Sequence, residues 1–438
     1  MKIENEDTAV NVFWFRRDLR LHDNHGLYQA LNAGLPVLPV FIFDTDILNA
    51  LDDRFDRRVD FIHQAINSLN KDLQKAGSRI LTFLGKPQEI FLKLIKQYTI
   101  QAVYTNHDYE SYAVGRDEAV RKLLREQRVG FHSFKDQVIF EKNEVLKKDG
   151  RPYTVYTPYS NAWRRLLSES GYAPYPSEKW LDRLFRDAFQ DILSLEEIGF
   201  RQTDVKFTMP GFDENLISNY HKTRNYPAIA GTTRLGIHLR FGTVSVRECV
   251  RKGLELNDTW LNELIWREFF MMILYHFPYV ENGPFRKQYE RIKWENDPEK
   301  FDRWRKGETG YPLVDAGMRE LNATGFMHNR VRMVTAGFLV KHLLIDWRWG
   351  ERYFARKLLD YELSSNNGNW QWAAGCGCDA APYFRIFNPE SQQKKFDPGF
   401  IYIKKWLPEF GSHSYPKPIV DHKPAREKAL RKFGIVKN

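Results

Sequence analysis

Residues 9–15 read AVNVFWF, a β-rich apolar run, and residues 16–24 follow at once as the charged segment RRDLRLHDN. A short, β-rich apolar run bounded by a charged segment reads as a strand. Outward from it, a helical pattern covers Gly26 to Asn32, and further short apolar runs stand at 37–43, 79–84 and 102–105. Helix-like segments at 58–76 and 87–98 separate them. Strand alternates with helix, which predicts a doubly wound α/β domain with a parallel sheet over residues 1–130. No GxGxxG follows the first strand and no GxxxxGK[ST] occurs anywhere in the chain. This domain therefore lacks the usual phosphate-cradling loop, and a cofactor need not sit there.

Residues 131–203 carry proline and tyrosine punctuation, PYTVYTPYSNAW and then Tyr172, Pro174, Tyr175 and Pro176, and read as a long, irregular linker. From 204 to 438 the strand pattern fades and helical periods take over, as at 260–275 and 330–344, so the second domain is expected to be nearly all α-helical. A chain of 438 residues is too long for one ordinary core, which agrees with two domains.

The formal net charge is +10, favouring an anionic partner. Nucleic acid ranks before membrane, because no apolar run is long enough to span a bilayer. Cys249, Cys376 and Cys378 form no spaced pair of CxxC units, so neither a disulfide framework nor a zinc site is supported. The start MKIENEDTAV is polar and acidic, unlike a signal peptide, and the expected compartment is the cytoplasm.

Nine of the twelve tryptophans fall after residue 250, many beside Arg, Asn or Asp, a mixture that suits a redox or stacking pocket. Four segments carry the chemistry. In Gly231-Thr-Thr-Arg-Leu-Gly236, small hydroxyl residues with an arginine at a helix start can present N–H groups to a phosphate, although Thr232 or Thr233 also reads as an ordinary N-cap. In Trp260-Leu-Asn-Glu-Leu-Ile-Trp-Arg267, Glu263 lies one turn before Trp266 and Arg267, giving either a base-recognition cavity or a solvated Glu263–Arg267 pair beside core tryptophans.

In Met327-His-Asn-Arg-Val-Arg-Met333, Asn329, Arg332 and Met333 share a helical face while Arg330 points elsewhere. A buried Arg332 needs a carboxylate, for which Asp360 is the candidate, and His328 has no cluster to make it a metal ligand. Finally, the Asn366-Asn367-Gly368 run within residues 360–372 predicts a turn that breaks the helix, while amides beside tryptophan also suit hydrogen bonding to a heteroaromatic ring.

The motifs FWFRRDLRLHDN, GTTRLGIHLRFGTVS, NELIWREFF, TGYPLVDAGMRELNATGFMHNRVRM, DWRWGERYF, NNGNWQW and DAAPYFRIFNP together resemble the photolyase and cryptochrome family over nearly the whole chain. The resemblance is closest to the bacterial class I cyclobutane pyrimidine dimer photolyases. It implies a Rossmann-like α/β antenna domain joined by the linker to a helical FAD-binding domain. It also implies a light-driven lyase that donates an electron from excited, reduced FAD to a dimer flipped out of UV-damaged DNA. The chain is then expected to act as a monomer on DNA, without a membrane or a metal.

Carried over by matching motif, the resemblance assigns Tyr220, Thr232, Thr233, Arg234, Leu235 and Gly236 to the flavin phosphates. It sets Trp260, Asn329, Arg332, Asp360 and Glu362 around the rest of the cofactor, and it faces Asn366 toward the flavin N5, where an amide tolerates either protonation state of the ring. Glu263 would hydrogen-bond the dimer, Trp266 and Trp372 would wall it, and Arg267, Asn329, Arg330 and Met333 would neighbour it, Arg330 also meeting the phosphate backbone. Trp370, Trp347 and Trp294 match the family's electron-transfer triad, from flavin to surface.

Asn329 and Met333 stand where a (6-4) photolyase would carry histidines, and Asn366 stands where plant-type cryptochromes usually carry aspartate, so dimer repair is favoured over pure blue-light signalling or flavin-bearing single-strand binding. Gly236 replaces a phosphate-binding serine of many relatives. Tyr112 and Ala113 replace the acidic residue that folate-binding relatives carry after the Tyr-Glu pair. A second antenna is therefore expected to be a deazaflavin or flavin near Arg16 and Asp44, rather than methenyltetrahydrofolate, if one is bound at all.

Overall fold

The computed structural model describes residues 9–186 and 191–437; the acidic start at 1–8 and residues 187–190 of the expected linker lie outside the described residues. Five parallel strands form the sheet: β1 (Val10–Phe15), β2 (Val37–Asp44), β3 (Leu81–Gly85), β4 (Ile100–Asn106) and β5 (Gly130–Phe134), in the order β3-β2-β1-β4-β5. Every residue of β1 is buried. Its alternation explains this: Phe13 and Phe15 pack with Phe41, Phe43 and Ile66 on one face, while Val12 and Trp14 pack with Val40, Ile42 and Phe91 on the other. A strand covered on both faces is mostly apolar, and Asn11 is the one polar residue of β1.

Helices His25–Leu31, Arg57–Lys75, Pro87–Gln97 and Ser111–Glu126 connect the strands. The edge strand β5, half-buried and carrying His132 and Ser133, is one the sequence pattern did not announce. Two compact units divide the chain, one of residues 1–141, 167–211 and 235–251, the other of 142–166, 212–234 and 252–438. The segment expected to be an irregular linker contains the helix Tyr156–Ser170 and a 3-10 helix at Ser177–Arg183.

Among the described residues no sheet strand follows β5. The second unit is helical, its core running through Trp304, Leu313, Val331, Phe338, Trp347 and Trp370. The helical period at 330–344 resolves into an α-helix, Asn329–Gly337, and a fully buried π-turn, Phe338–His342. The expected break at Asn366-Asn367-Gly368 is absent, because the helix Leu363–Ala374 runs straight through it. Gly368 is there for packing: a Cβ on it would stand 2.2 Å from the Phe270 ring. Tertiary contact overrides the local turn preference.

Candidate functional site

In the helical unit, the helix Asn329–Gly337, residues 358–362 and the helix Leu363–Ala374 converge on one recess holding about 590 Å³ of empty space, part of it open to solvent. The first helix is capped by His328, whose Nδ1 accepts from the Arg330 amide at 3.2 Å. Asn329, Arg332 and Met333 then share the face that lines the recess. Arg330 turns away, donating to Asn225 Oδ1 at 2.7 Å with its guanidinium 4.3 Å from the Phe396 ring centre.

The carboxylate that Arg332 needs is Asp360. Arg332 Nη2 donates to its two oxygens at 2.9 and 3.1 Å, and Nε donates to the Met327 carbonyl at 2.7 Å. Glu362, buried at the head of the next helix, accepts from Arg267 Nη2 at 3.2 Å and from Ser365 Oγ at 3.1 Å. Asn366 donates through Nδ2 to the Glu351 carbonyl at 3.1 Å and to Glu351 Oε1 at 2.8 Å. That orientation leaves the amide oxygen as an acceptor. Burial raises the Glu351 carboxyl above the usual range, with the Asn366 bond opposing it.

The solvated Glu263–Arg267 pair does not form. Glu263 pairs instead with Arg224, and Arg267 with Glu362. Burial raises the Glu263 carboxyl while Arg224 pulls it back. Trp266 lies flat on Tyr156, ring centres 3.6 Å apart and planes 5° from parallel, with Phe269 and Phe270 at 5.7 and 5.5 Å. Trp260 is buried near the start of the helix Asp258–His276, where the Asn257 side chain accepts from the Thr259 and Trp260 amides. Neither tryptophan lines the recess, whereas Trp370 and Trp372 do.

Neither Thr232 nor Thr233 is an N-cap: Leu235 caps the six-residue helix Gly236–Phe241, without a side-chain bond. Leu235 and Gly236 belong to the first unit, and residues 212–234 to the second. Arg234, at φ 53°, sets its guanidinium 4.3 Å from the Phe326 ring centre, and Arg224 covers the Tyr220 ring at 5.4 Å. Trp347 and Trp370 are buried in one core, and Trp294 packs on its edge against Phe433. The ring neighbours of Trp370 are Phe354 at 4.9 Å and Trp304 at 6.2 Å.

Arg224, Arg234, Arg330 and Arg332 gather around His328 closely enough that, with burial as the larger cause, its imidazole falls to about 4. Sequence reasoning missed Arg224, Glu351, Phe354 and Tyr156, all of which act through residues distant in the chain. Among the described residues no group of three or more His, Cys, Asp or Glu is arranged to hold a metal, and no helix is long and apolar enough to cross a membrane.

Residues 11–178 match the DNA photolyase family and residues 260–414 match the FAD binding domain of DNA photolyase. The deoxyribodipyrimidine photo-lyase of a Synechococcus strain is 36% identical, covering 94% of each chain. A bacterial class III photolyase from Agrobacterium tumefaciens superposes with a TM-score of 0.87 at 33% identity, over 98% of each chain. An archaeal photolyase from Sulfolobus tokodaii, described with two FAD molecules, gives 0.81 at 33%, over 98% of this chain and 100% of that one. A cryptochrome from Synechocystis gives 0.83 at 26%, over 97% and 99%. Both domains are thus matched in their order along the chain, and the likeness to a curated photolyase extends over almost its full length, so the chain belongs to the DNA photolyase family.

Proposed function

We propose that this chain repairs cyclobutane pyrimidine dimers in UV-damaged DNA, acting as a monomer. Bound, reduced FAD would supply the chemistry, light-driven donation of one electron to a dimer flipped out of the duplex. The observation that carries this reading is Asn366. Its Nδ2 is taken by Glu351 and its Oδ1 is left to accept from a ring N–H, inside a recess walled by Trp370 and Phe354. A polar lining with aromatic walls fits a flat heteroaromatic cofactor.

In this reading Arg332 and Asp360 hold the polar edge of the cofactor, with Asn329 and Glu362 beside them, and Tyr220 with Thr232 to Arg234 serve its phosphates. Asn329, Met333 and Trp372 meet the dimer, and Trp266, backed by Tyr156, offers it a stacking face. Flipping is least costly for a damaged, poorly stacked pair. Burial raises the Glu263 carboxyl, which helps it hold a proton at the carbonyl edge of the dimer. Arg330 meets the DNA backbone, so binding weakens with salt. Trp294, Trp347 and Trp370 form the route that re-reduces the cofactor. The class I assignment belongs to this proposal as well, since a class III photolyase is similar over the same length.

A blue-light photoreceptor is the second reading, favoured by the similarity to the Synechocystis cryptochrome. One experiment separates them: illumination of an oligonucleotide carrying a single thymine dimer with purified, reduced, FAD-loaded protein and a dark control. Light-dependent recovery of the two thymines is expected; no recovery with the cofactor bound and reduced would favour the photoreceptor.

A further inference from the structure

In an open doubly wound sheet, ligands bind outside the carboxyl ends of the strands, where the strand order reverses. The order β3-β2-β1-β4-β5 puts that point between β1 and β4. Here the chain's own side chains fill it. Tyr112, on the helix that follows β4, donates from its hydroxyl to Asp44 Oδ2 at 2.7 Å, at the end of β2, and so crosses the end of β1. One turn further along, Arg116 places its guanidinium 5.9 Å from the Tyr112 ring centre and 5.0 Å from that of Trp14. Arg16 covers the same indole at 4.7 Å, and Trp14 meets Phe91 at 5.2 Å.

The charges are neutralised within the stack. Asp117 meets both Arg16 and Arg116, and Arg16 also donates to the Asn106 carbonyl at the end of β4. Both arginine side chains are only 8% exposed. Trp14 Nε1 is buried without a hydrogen-bond partner, so packing and charge hold the assembly together. Arg16 and Asp44, near which a second chromophore is expected, are therefore already engaged, and the residues present do not fit one.

We propose that Tyr112 is a specificity-determining residue whose ring keeps a second chromophore of the flavin or deazaflavin class out of this cleft. The inference rests on reading the chain as a light-driven flavoprotein, but its test counts bound chromophores and not repaired dimers, so either can fail alone. FAD-loaded full-length protein is dialysed to equilibrium against riboflavin and, separately, a 5-deazaflavin. Wild type is expected to take up no second equivalent. Tyr112→Ala is expected to take up one equivalent, and Tyr112→Phe, which keeps the ring, to exclude both probes. The side chain is 44% exposed, so the alanine variant is expected to fold. A second equivalent on wild type or on Tyr112→Phe would overturn the proposal. So would a Tyr112→Ala protein that melts like wild type and still refuses both probes.

Discussion

Arg332 Nη2 lies 2.9 Å from Asp360 Oδ2, and this pair joins the helix Asn329–Gly337 to the segment that leads into the helix Leu363–Ala374. Both side chains are about a quarter exposed, so the pair is screened and worth no more than about 1 kcal/mol to stability. Its larger effect is to orient the guanidinium at the recess. Asp360→Asn is expected to leave the melting temperature within a few degrees of wild type while weakening FAD retention about fivefold to tenfold, a loss of about 1 kcal/mol. Equilibrium dialysis of flavin checks this, and unchanged retention would remove the pair from the cofactor site.

Trp266 is held flat by Tyr156, which fixes the orientation of the indole. A pre-set aromatic platform of this kind contributes about 1–3 kcal/mol per stacked base. Trp266→Ala is therefore expected to weaken binding to a dimer-containing duplex roughly tenfold or more while FAD remains bound. Affinity equal to wild type in a filter-binding titration would take Trp266 out of the DNA surface.

Trp294 packs edge-on against Phe433 at the margin of the core that buries Trp347 and Trp370. Phenylalanine preserves that packing but is far harder to oxidise than indole. Trp294→Phe is expected to slow photoreduction of the bound flavin severely and to leave repair intact once the flavin is reduced chemically. Unchanged photoreduction would reject this route to the surface.

The legible parts of this protein are those whose physics is local. β1 could be read because a strand covered on both faces is apolar at all but one position, Asn11, whereas β5 could not, because an edge strand with His132 and Ser133 has no such pattern. The need of Arg332 for a carboxylate pointed to Asp360, whereas nothing in the sequence announces that Glu263 pairs with Arg224 or that Asn366 rests on Glu351. Those partners come from other helices, and only the fold selects them. The Asn-Asn-Gly run misled for a related reason: its turn chemistry is local, and the Phe270 ring that makes Gly368 necessary lies on a different helix.

Burial, reinforced by Arg332 and Arg330, pushes the His328 imidazole down to about 4, so the folded state keeps it neutral. The unfolded chain takes up that proton near pH 6.5. Stability from this residue is thus complete above about pH 6.5 and is lost as pH falls toward 4, by up to about 3 kcal/mol. Asparagine can cap the same helix without titrating. His328→Asn is expected to flatten the acid limb of stability against pH by about one proton, read from urea midpoints between pH 4 and 7. An acid limb as steep as that of wild type would show that His328 does not set it.

Gly368 stands mid-helix, where alanine would ordinarily stabilise by about 0.5–1 kcal/mol. Its surroundings reverse the sign. A Cβ there would lie 2.2 Å from a carbon of Phe270, a ring that is itself buried. Overpacking of this kind costs about 1–3 kcal/mol, which exceeds the helix-propensity gain. Gly368→Ala is expected to lower the melting temperature, and Phe270→Leu in the same chain to restore part of the loss, because the smaller side chain vacates the space the new methyl needs. If Gly368→Ala instead raises the melting temperature, propensity has won and the close approach of these two helices is not what keeps glycine there.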